Sequence, residues 1–306
     1  MLRGRARLGL YGLGVRRRLH RAALARVARI VGRAVAVCLV FGVTQPLAAA
    51  ASEARDEAGA DVRVDRPADA SAEPGSDARA ARELVAAAID QTRGTSSYAE
   101  MAMQVRRPDW ERTTEIVAWT RGREDALIRF VGPPRDAGNA TLKQGEQMWT
   151  FTSRLGRVVR LPGSMMSQSW AGSDFSYNDL SRTDALLTQY THELVSETVV
   201  DGLRVYTIDS RPLPDAPVVW GRQRLVLRED HVLLEQTFFD QDDIALKRME
   251  TRAIDELGGR LIPSVMRMSR LDEPGHWTEV RYARADFDLE LPDRRFTLHA
   301  LRNPER

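Results

Sequence analysis

From Tyr98 onward, apolar and polar residues alternate with a period of two, the spacing of a strand that buries one face. Met101, Met103 and Val105 alternate with Glu100, Ala102 and Gln104. The same pattern predicts strands over 112–120, 126–131, 140–144, 147–152 and 157–161. It resumes over 190–200, 203–210, 223–229, 232–239, 244–254, 261–269 and 277–285. Turn-forming groups separate these runs, among them Arg107-Pro108-Asp109, Gly132-Pro133-Pro134, Gly258-Gly259 and Glu273-Pro274-Gly275. Asp201-Gly202, between two apolar runs, reads as a two-residue hairpin turn. A dozen or so strands on short turns imply one large antiparallel meander. Twist keeps such a sheet from lying flat and curls it into a barrel or half-barrel, whose inner face must be filled or must hold something.

Two stretches depart from the period. Leu84, Val85, Ala88 and Ile89 fall on one helical stripe, with Ser76 or Asp77 to cap the start and Gly94 to end it. The second stretch follows Leu161-Pro162-Gly163 and gathers Met165, Met166, Trp170, Phe175 and Tyr177. Within it, in WAGSDFSYNDL from Trp170 to Leu180, Ser176 and Asp179 have capping-box spacing. Paired methionines suit a surface that repacks around ligands of varied shape. The cluster equally suits a plain apolar seal over the open end of a barrel.

The N-terminal quarter has a different character. The first fifty residues hold ten Arg and no acid, followed by an apolar run from Ala34 to Val43 and the small-residue string Ala48 to Ser52. This is the pattern of an export signal cleaved near Ala50 or Ala51; the alternative is an uncleaved anchor in the inner membrane. Residues 51–76 are acids, Arg, Gly, Pro and Ala, with Val62 and Val64 the large apolar exceptions, a composition that predicts a disordered linker. The expected organisation is a signal peptide over 1–50, a linker over 51–76 and one folded domain over 77–306.

Removing the signal reverses the charge. The whole chain has 45 basic and 43 acidic residues; without the ten basic residues of the first fifty, 35 face 43, a net charge of −8. A nucleic-acid partner therefore loses its electrostatic basis. The single cysteine, Cys38, lies in the apolar run, so the mature part has no disulfide, thiol nucleophile or thiolate metal site. His192, His231, His276 and His299 are scattered, without a second ligand at helical spacing, and read as solvated strand histidines. No nucleophile elbow or phosphate-binding loop is present, and Gly172-Ser173-Asp174 lacks the preceding strand that a nucleophile turn needs. The expectation is no enzyme, no metal and no cofactor. Arg154, Arg157 and Arg160, with Arg222 and Arg224, read as a solvated face exchanging ion pairs or as a basic rim for lipid headgroups.

The order of these parts, with Met148-Trp149-x-Phe151, the basic strand Arg157 to Arg160 and above all GSDFSYNDL from Gly172, resembles the LolA-like outer-membrane lipoprotein-sorting proteins. The similarity covers most of Tyr98 to Leu301. The chain departs from the family at Ser169-Trp170-Ala171, where related sequences tend to have a Phe-Met pair. The resemblance implies a mainly β fold: a single curled antiparallel sheet forming an incomplete β-barrel, with an N-terminal helix and a helical lid insert. It also implies an apolar cavity for the acyl chains of lipids or lipoproteins, hence a monomeric periplasmic carrier working toward the outer membrane. The alternatives are an accessory subunit that hands hydrophobic cargo to or from an inner-membrane transporter that exports it, and a β-rich structural module of the envelope without a ligand. On the carrier reading, Met101, Met103, Val105, Ile128, Phe130, Trp149 and Phe151 line the cavity. Met165, Met166, Trp170 and Phe175 form its lid. Each lining assignment depends on strand register, because a slip of one residue turns a side chain to the other face. Leu289, Leu291, Phe296 and Leu298 are expected to pin the closing segment to the barrel end.

Overall fold

The computed structural model describes residues 76–181 and 184–304. The expected signal peptide, Cys38 and nearly all of the expected linker lie outside the described residues. The unit Pro74–Arg306 holds everything that follows.

Helix α1 spans Ser76–Arg93. Its stripe is the expected one: Ala81, Val85 and Ala88 are buried, Leu84 and Ile89 pack beside them, and Arg79 pairs with Glu83 on the wet side. Gly94 ends it in the left-handed conformation (φ 60°), with its N–H on the Asp90 carbonyl at 2.8 Å, the usual role of glycine at a helix C-terminus.

Thirteen strands follow. The first six are β1 (Ser96–Arg106), β2 (Glu111–Arg121), β3 (Asp125–Gly132), β4 (Ala140–Gln144), β5 (Gln147–Thr152) and β6 (Arg157–Arg160). After an insert come β7 (Tyr190–Val200), β8 (Leu203–Pro212), β9 (Arg222–Arg228), β10 (Leu233–Phe239), β11 (Ala245–Leu257), β12 (Arg260–Arg270) and β13 (Trp277–Phe287). Each predicted strand is present. Asp201 and Gly202 both have positive φ (52° and 81°) and join β7 to β8 with Val200 opposite Leu203, the two-residue hairpin that Asp-Gly favours.

All thirteen strands form one antiparallel sheet in the order β6-β5-β4-β3-β2-β1-β13-β12-β11-β10-β9-β8-β7. It is two meanders rather than one: β1 and β13 pair in the middle, from Ser97 opposite Phe287 to Arg106 opposite Trp277. The sheet does not close. Its free edges are β6 and β7, which are neighbours in sequence, so the insert between them has to cross from one edge to the other.

The insert makes that crossing over the concave face. It comprises two 3₁₀ turns, Gly163–Met165 and Trp170–Gly172, and two short helices, α2 (Tyr177–Ser181) and α3 (Ala185–Thr188). Early in the insert, Trp170 meets β3 and β4; late in it, Leu187 joins α1 against Ile208, Leu225 and Leu227. The convex face of β3–β5 is covered too. There Leu127 and Leu142 pack with Phe296, Ala300 and Leu301 of the C-terminal segment, which ends in helix α4 (Leu298–Arg302). Phe296 and Leu291 thus pack on the outside of the sheet, whereas Leu289 and Leu298 are exposed and pin nothing; Ala300 and Leu301 take their place. Arg129 holds this segment, donating to the carbonyls of Ala300 (2.6 Å) and Leu301 (3.3 Å). Among the described residues no helix is long and apolar enough to cross a membrane.

Candidate functional site

Strand alternation aims one set of side chains from every strand at the concave face. Register across the central strands puts Met266 of β12 opposite Val280 of β13, and Val280 opposite Met103 of β1. One residue pair along, Tyr282 faces Met101, which faces Ile116 of β2, which faces Phe130 of β3. Met249 of β11 lies opposite Met268 of β12. The two half-sheets, α1 and the insert together enclose a cavity of about 430 Å³. Five of the chain's 9 methionines line it: Met101, Met103, Met249, Met266 and Met268. Val85 and Ile89 of α1 close one side, and Trp170, Phe175 and Leu180 of the insert close another. Thr92, near the end of α1, and Val219, in the β8–β9 connection, line the cavity and also reach solvent. A mostly apolar cavity of this size with few polar groups is the usual form of a small-molecule site.

The insert is held down by polar contacts around its apolar side chains. Ser176 and Asp179 form the expected capping box: the Ser176 N–H donates to Asp179 Oδ2 at 2.7 Å and the Asp179 N–H to Ser176 Oγ at 3.2 Å. Trp170 is buried against Phe130, ring centroids 5.4 Å apart, and its Nε1–H donates to Thr141 Oγ1 at 3.1 Å. Asp174 is the deepest anchor, its side chain 1% exposed. It accepts from Arg107 Nη1 at 3.1 Å and from Thr278 Oγ1 at 2.6 Å, while Lys247 Nζ donates to its backbone carbonyl at 2.9 Å. Arg107 also donates to the Gly172 carbonyl at 3.0 Å, and Arg112 to that of Ala171. The GSDF turn and the Ala171 before it are therefore wired to the β1–β2 turn, β2, β11 and β13 at once.

Of the residues expected to line the cavity, Met101, Met103 and Ile128 do so. Val105 and Phe130 point to the same face but are packed under Trp170, filling space rather than facing it. Trp149 and Phe151 are a correction. They lie opposite Leu142 and Ala140 and pack on the convex face with the C-terminal segment. Met148, one residue out of phase, is the buried inward residue of β5. Among the lid residues Trp170 and Phe175 face the cavity; Met165 and Met166 are half-buried and do not. The sequence reading missed Met249, Met266 and Met268. Met266-x-Met268 repeats the Met101-x-Met103 signal on the other half of the sheet.

The charged groups also sort differently from expectation. His192 is buried rather than solvated, 4% exposed, with Nδ1 2.8 Å from Ser210 Oγ, and burial pushes its pKa below the ordinary histidine value. Arg222 and Arg224 clamp Asp209 on the convex face of β8–β9: Arg224 at 2.6 and 2.8 Å, Arg222 at 3.2 Å. Burial alone would raise the Asp209 pKa, but the hydrogen bond and charge of Arg224, with Arg222 behind it, hold it below the usual carboxylate range. Arg154, Arg157 and Arg160 are exposed at and beside the free edge β6.

Comparison with known proteins agrees with this architecture. A family model described as "Uncharacterized protein" matches residues 122–303, more than half of the chain. The chain belongs to that family. No curated protein matches it in sequence. Among solved structures, a DUF1329 family protein from Desulfovibrio piger is 24% identical with a TM-score of 0.67, covering 74% of this chain and 99% of its own. A domain from Vibrio parahaemolyticus described as an outer membrane lipoprotein-sorting protein is 20% identical with a TM-score of 0.65, covering 74% and 100%. A LolA superfamily protein from Nitrosomonas europaea is 19% identical with a TM-score of 0.60, covering 72% and 98%. The fold of this family member is thus LolA-like: mainly β, one open antiparallel sheet with few helices.

Proposed function

We propose that the protein is a periplasmic carrier that takes the acyl chains of lipids or lipoproteins into the half-barrel cavity and moves them toward the outer membrane. The observation that carries this reading is the cavity of about 430 Å³, walled by methionine and aliphatic side chains from both half-sheets and roofed by Trp170 and Phe175. Each methylene moved from water into such a lining gains about 0.8 kcal/mol, without ATP or a covalent step. Methionines let one cavity accept chains of different length and branching. Description of the Vibrio parahaemolyticus neighbour as a lipoprotein-sorting domain supports the same assignment. A carrier also needs a removable cover, and the part of the insert around the GSDF turn is tied down by discrete polar anchors at Arg107, Arg112, Lys247 and Thr278.

The test is direct. Protein purified from the envelope without detergent is expected to carry lipid-sized mass in native mass spectrometry, and the delipidated protein to bind an apolar fluorescent probe. Met266→Trp, which fills the cavity from its wall, is expected to abolish probe binding while the protein stays folded. A wild-type protein that is ligand-free and binds no probe overturns the carrier.

A further inference from the structure

Among the polar side chains in the mostly apolar lining are two buried glutamines. Gln223 of β9 and Gln236 of β10 both face the cavity, and both are buried, 6% and 8% exposed. Register makes them diagonal neighbours, since Gln236 sits opposite Leu225 and Phe238 opposite Gln223. Gln236 Nε2 donates to Gln223 Oε1 at 2.7 Å. Each amide offers two N–H donors and an oxygen with two lone pairs, so one bond leaves most of the pair's capacity unused. Among the described residues, neither the Gln223 amide nitrogen nor the Gln236 amide oxygen has another partner. Exchanging N and O in both groups gives the same inventory with the residues swapped. Leucine or methionine, which fill the neighbouring positions, would avoid the desolvation cost of these amides.

Their place in the cavity matters. Gln223 is the second residue of β9, three positions after Trp220 in the Val218–Trp220 stretch that lines the cavity and reaches solvent at Val219. An acyl chain entering by that opening would leave its carbonyl end at the amides and run inward along Met249, Met266 and Met268. An ester carbonyl accepts hydrogen bonds and donates none, which suits the free N–H groups. An ether has no carbonyl and offers only its single-bonded oxygen, a weaker acceptor in a different place, so it pairs them less well.

We propose that Gln223 and Gln236 form a hydrogen-bonding subsite for the ester carbonyl of an acylated lipid, so that the cavity prefers acyl esters to alkyl ethers. This rests on the carrier reading above and narrows its substrate class. The experiment displaces the neutral probe N-phenyl-1-naphthylamine from the full chain with dioctanoyl phosphatidylcholine or with its dioctyl ether analogue, each kept below its micelle concentration. The ester is expected to compete about 3- to 10-fold better than the ether, the ratio expected from one net hydrogen bond. In Gln223→Leu/Gln236→Leu the ratio falls to about one. Equal competition by ester and ether in the wild type overturns the subsite and leaves the carrier standing, as does a preference that survives in the double variant. Failure of the probe to bind, or of both lipids to displace it, overturns the carrier and the subsite together. The wild-type ratio decides the matter even where the double variant does not fold.

Discussion

Replacing Asp174 with alanine tests whether the insert is held to the sheet by a buried ion pair. The Asp174 side chain is 1% exposed and that of Arg107 14%. Removing one partner of a buried pair costs about 3–5 kcal/mol, mainly because the other charge stays buried without its counterpart. Arg107 keeps two good acceptors, its neighbour Arg106 carbonyl at 2.7 Å and the Gly172 carbonyl at 3.0 Å, which puts the loss at the low end of that range. Thr278 loses the acceptor that it reaches at 2.6 Å, a further cost of about 1 kcal/mol. The expected total for Asp174→Ala is about 4 kcal/mol, a large part of the roughly 5–15 kcal/mol that holds a domain folded. Asp174→Asn keeps the size and an oxygen for one donor and is expected to cost about half as much. Urea unfolding followed by circular dichroism gives both numbers, and exchange of a bound apolar probe is expected to quicken in the same order. A loss below about 0.5 kcal/mol for the alanine variant, or equal losses for both variants, would refute the reasoning, since either outcome means that Arg107 and Thr278 do not depend on the carboxylate.

Other expectations follow from the same contacts. Trp149→Ala should cost about 1.5–3 kcal/mol by uncovering one side of the convex cluster, which the half-buried ring packs against, yet leave apolar probe affinity unchanged; a weakened affinity in a fluorescence titration would return Trp149 to the cavity. Trp170→Phe removes the donor to Thr141 and part of the packing on Phe130, and calorimetry should show a loss of about 1–3 kcal/mol. For His192 the folded pKa lies below the unfolded value of about 6.5, so the unfolded chain takes up the proton first as pH falls. Its contribution is complete above that value and is lost as pH drops through 6.5 toward the folded pKa. Urea midpoints measured between pH 7.5 and 5.5 should therefore fall, and fall less in His192→Gln; parallel curves would contradict it. Asp209 has the opposite acid–base type but the same direction: its depressed folded pKa gives stability above about pH 4 that is lost on further acidification, and Asp209→Asn should flatten that acid limb.

How far the fold can be read from the sequence depends on how each face is covered. The thirteen strands are legible because period-two alternation and turn residues such as Asp201-Gly202 act locally. The Ser176–Asp179 cap is legible for the same reason, its spacing being fixed by one helical turn. Strand facing was legible in β1, where Met101 and Met103 alternate with the outward Gln104. It was not legible in β5, because Met148 and Trp149 are both apolar and both covered: the cavity side takes one and the C-terminal segment the other. Alternation marks a face only when the opposite face is wet. The pairing of β1 with β13 was equally hidden, since nothing local distinguishes one meander from two joined at their first and last strands. His192 was misjudged as solvated because β7 is covered by α1, far earlier in the chain, and by the nearby α3, where Leu186 reaches His192.

The connection between the two edges has a mechanical consequence. The 29 residues from Leu161 to Gln189 would span roughly 100 Å if extended, far more than any gap between β6 and β7, so chain length sets no limit on their separation. Strand twist and α1 already curve the sheet, and the insert, clasped by a few side chains, adds a strap across it from edge to edge. Part of the hold on the curvature thus lies outside the sheet's own hydrogen-bond ladder. Releasing the clasp at Asp174 is expected to slacken that strap without any strand pair having to break.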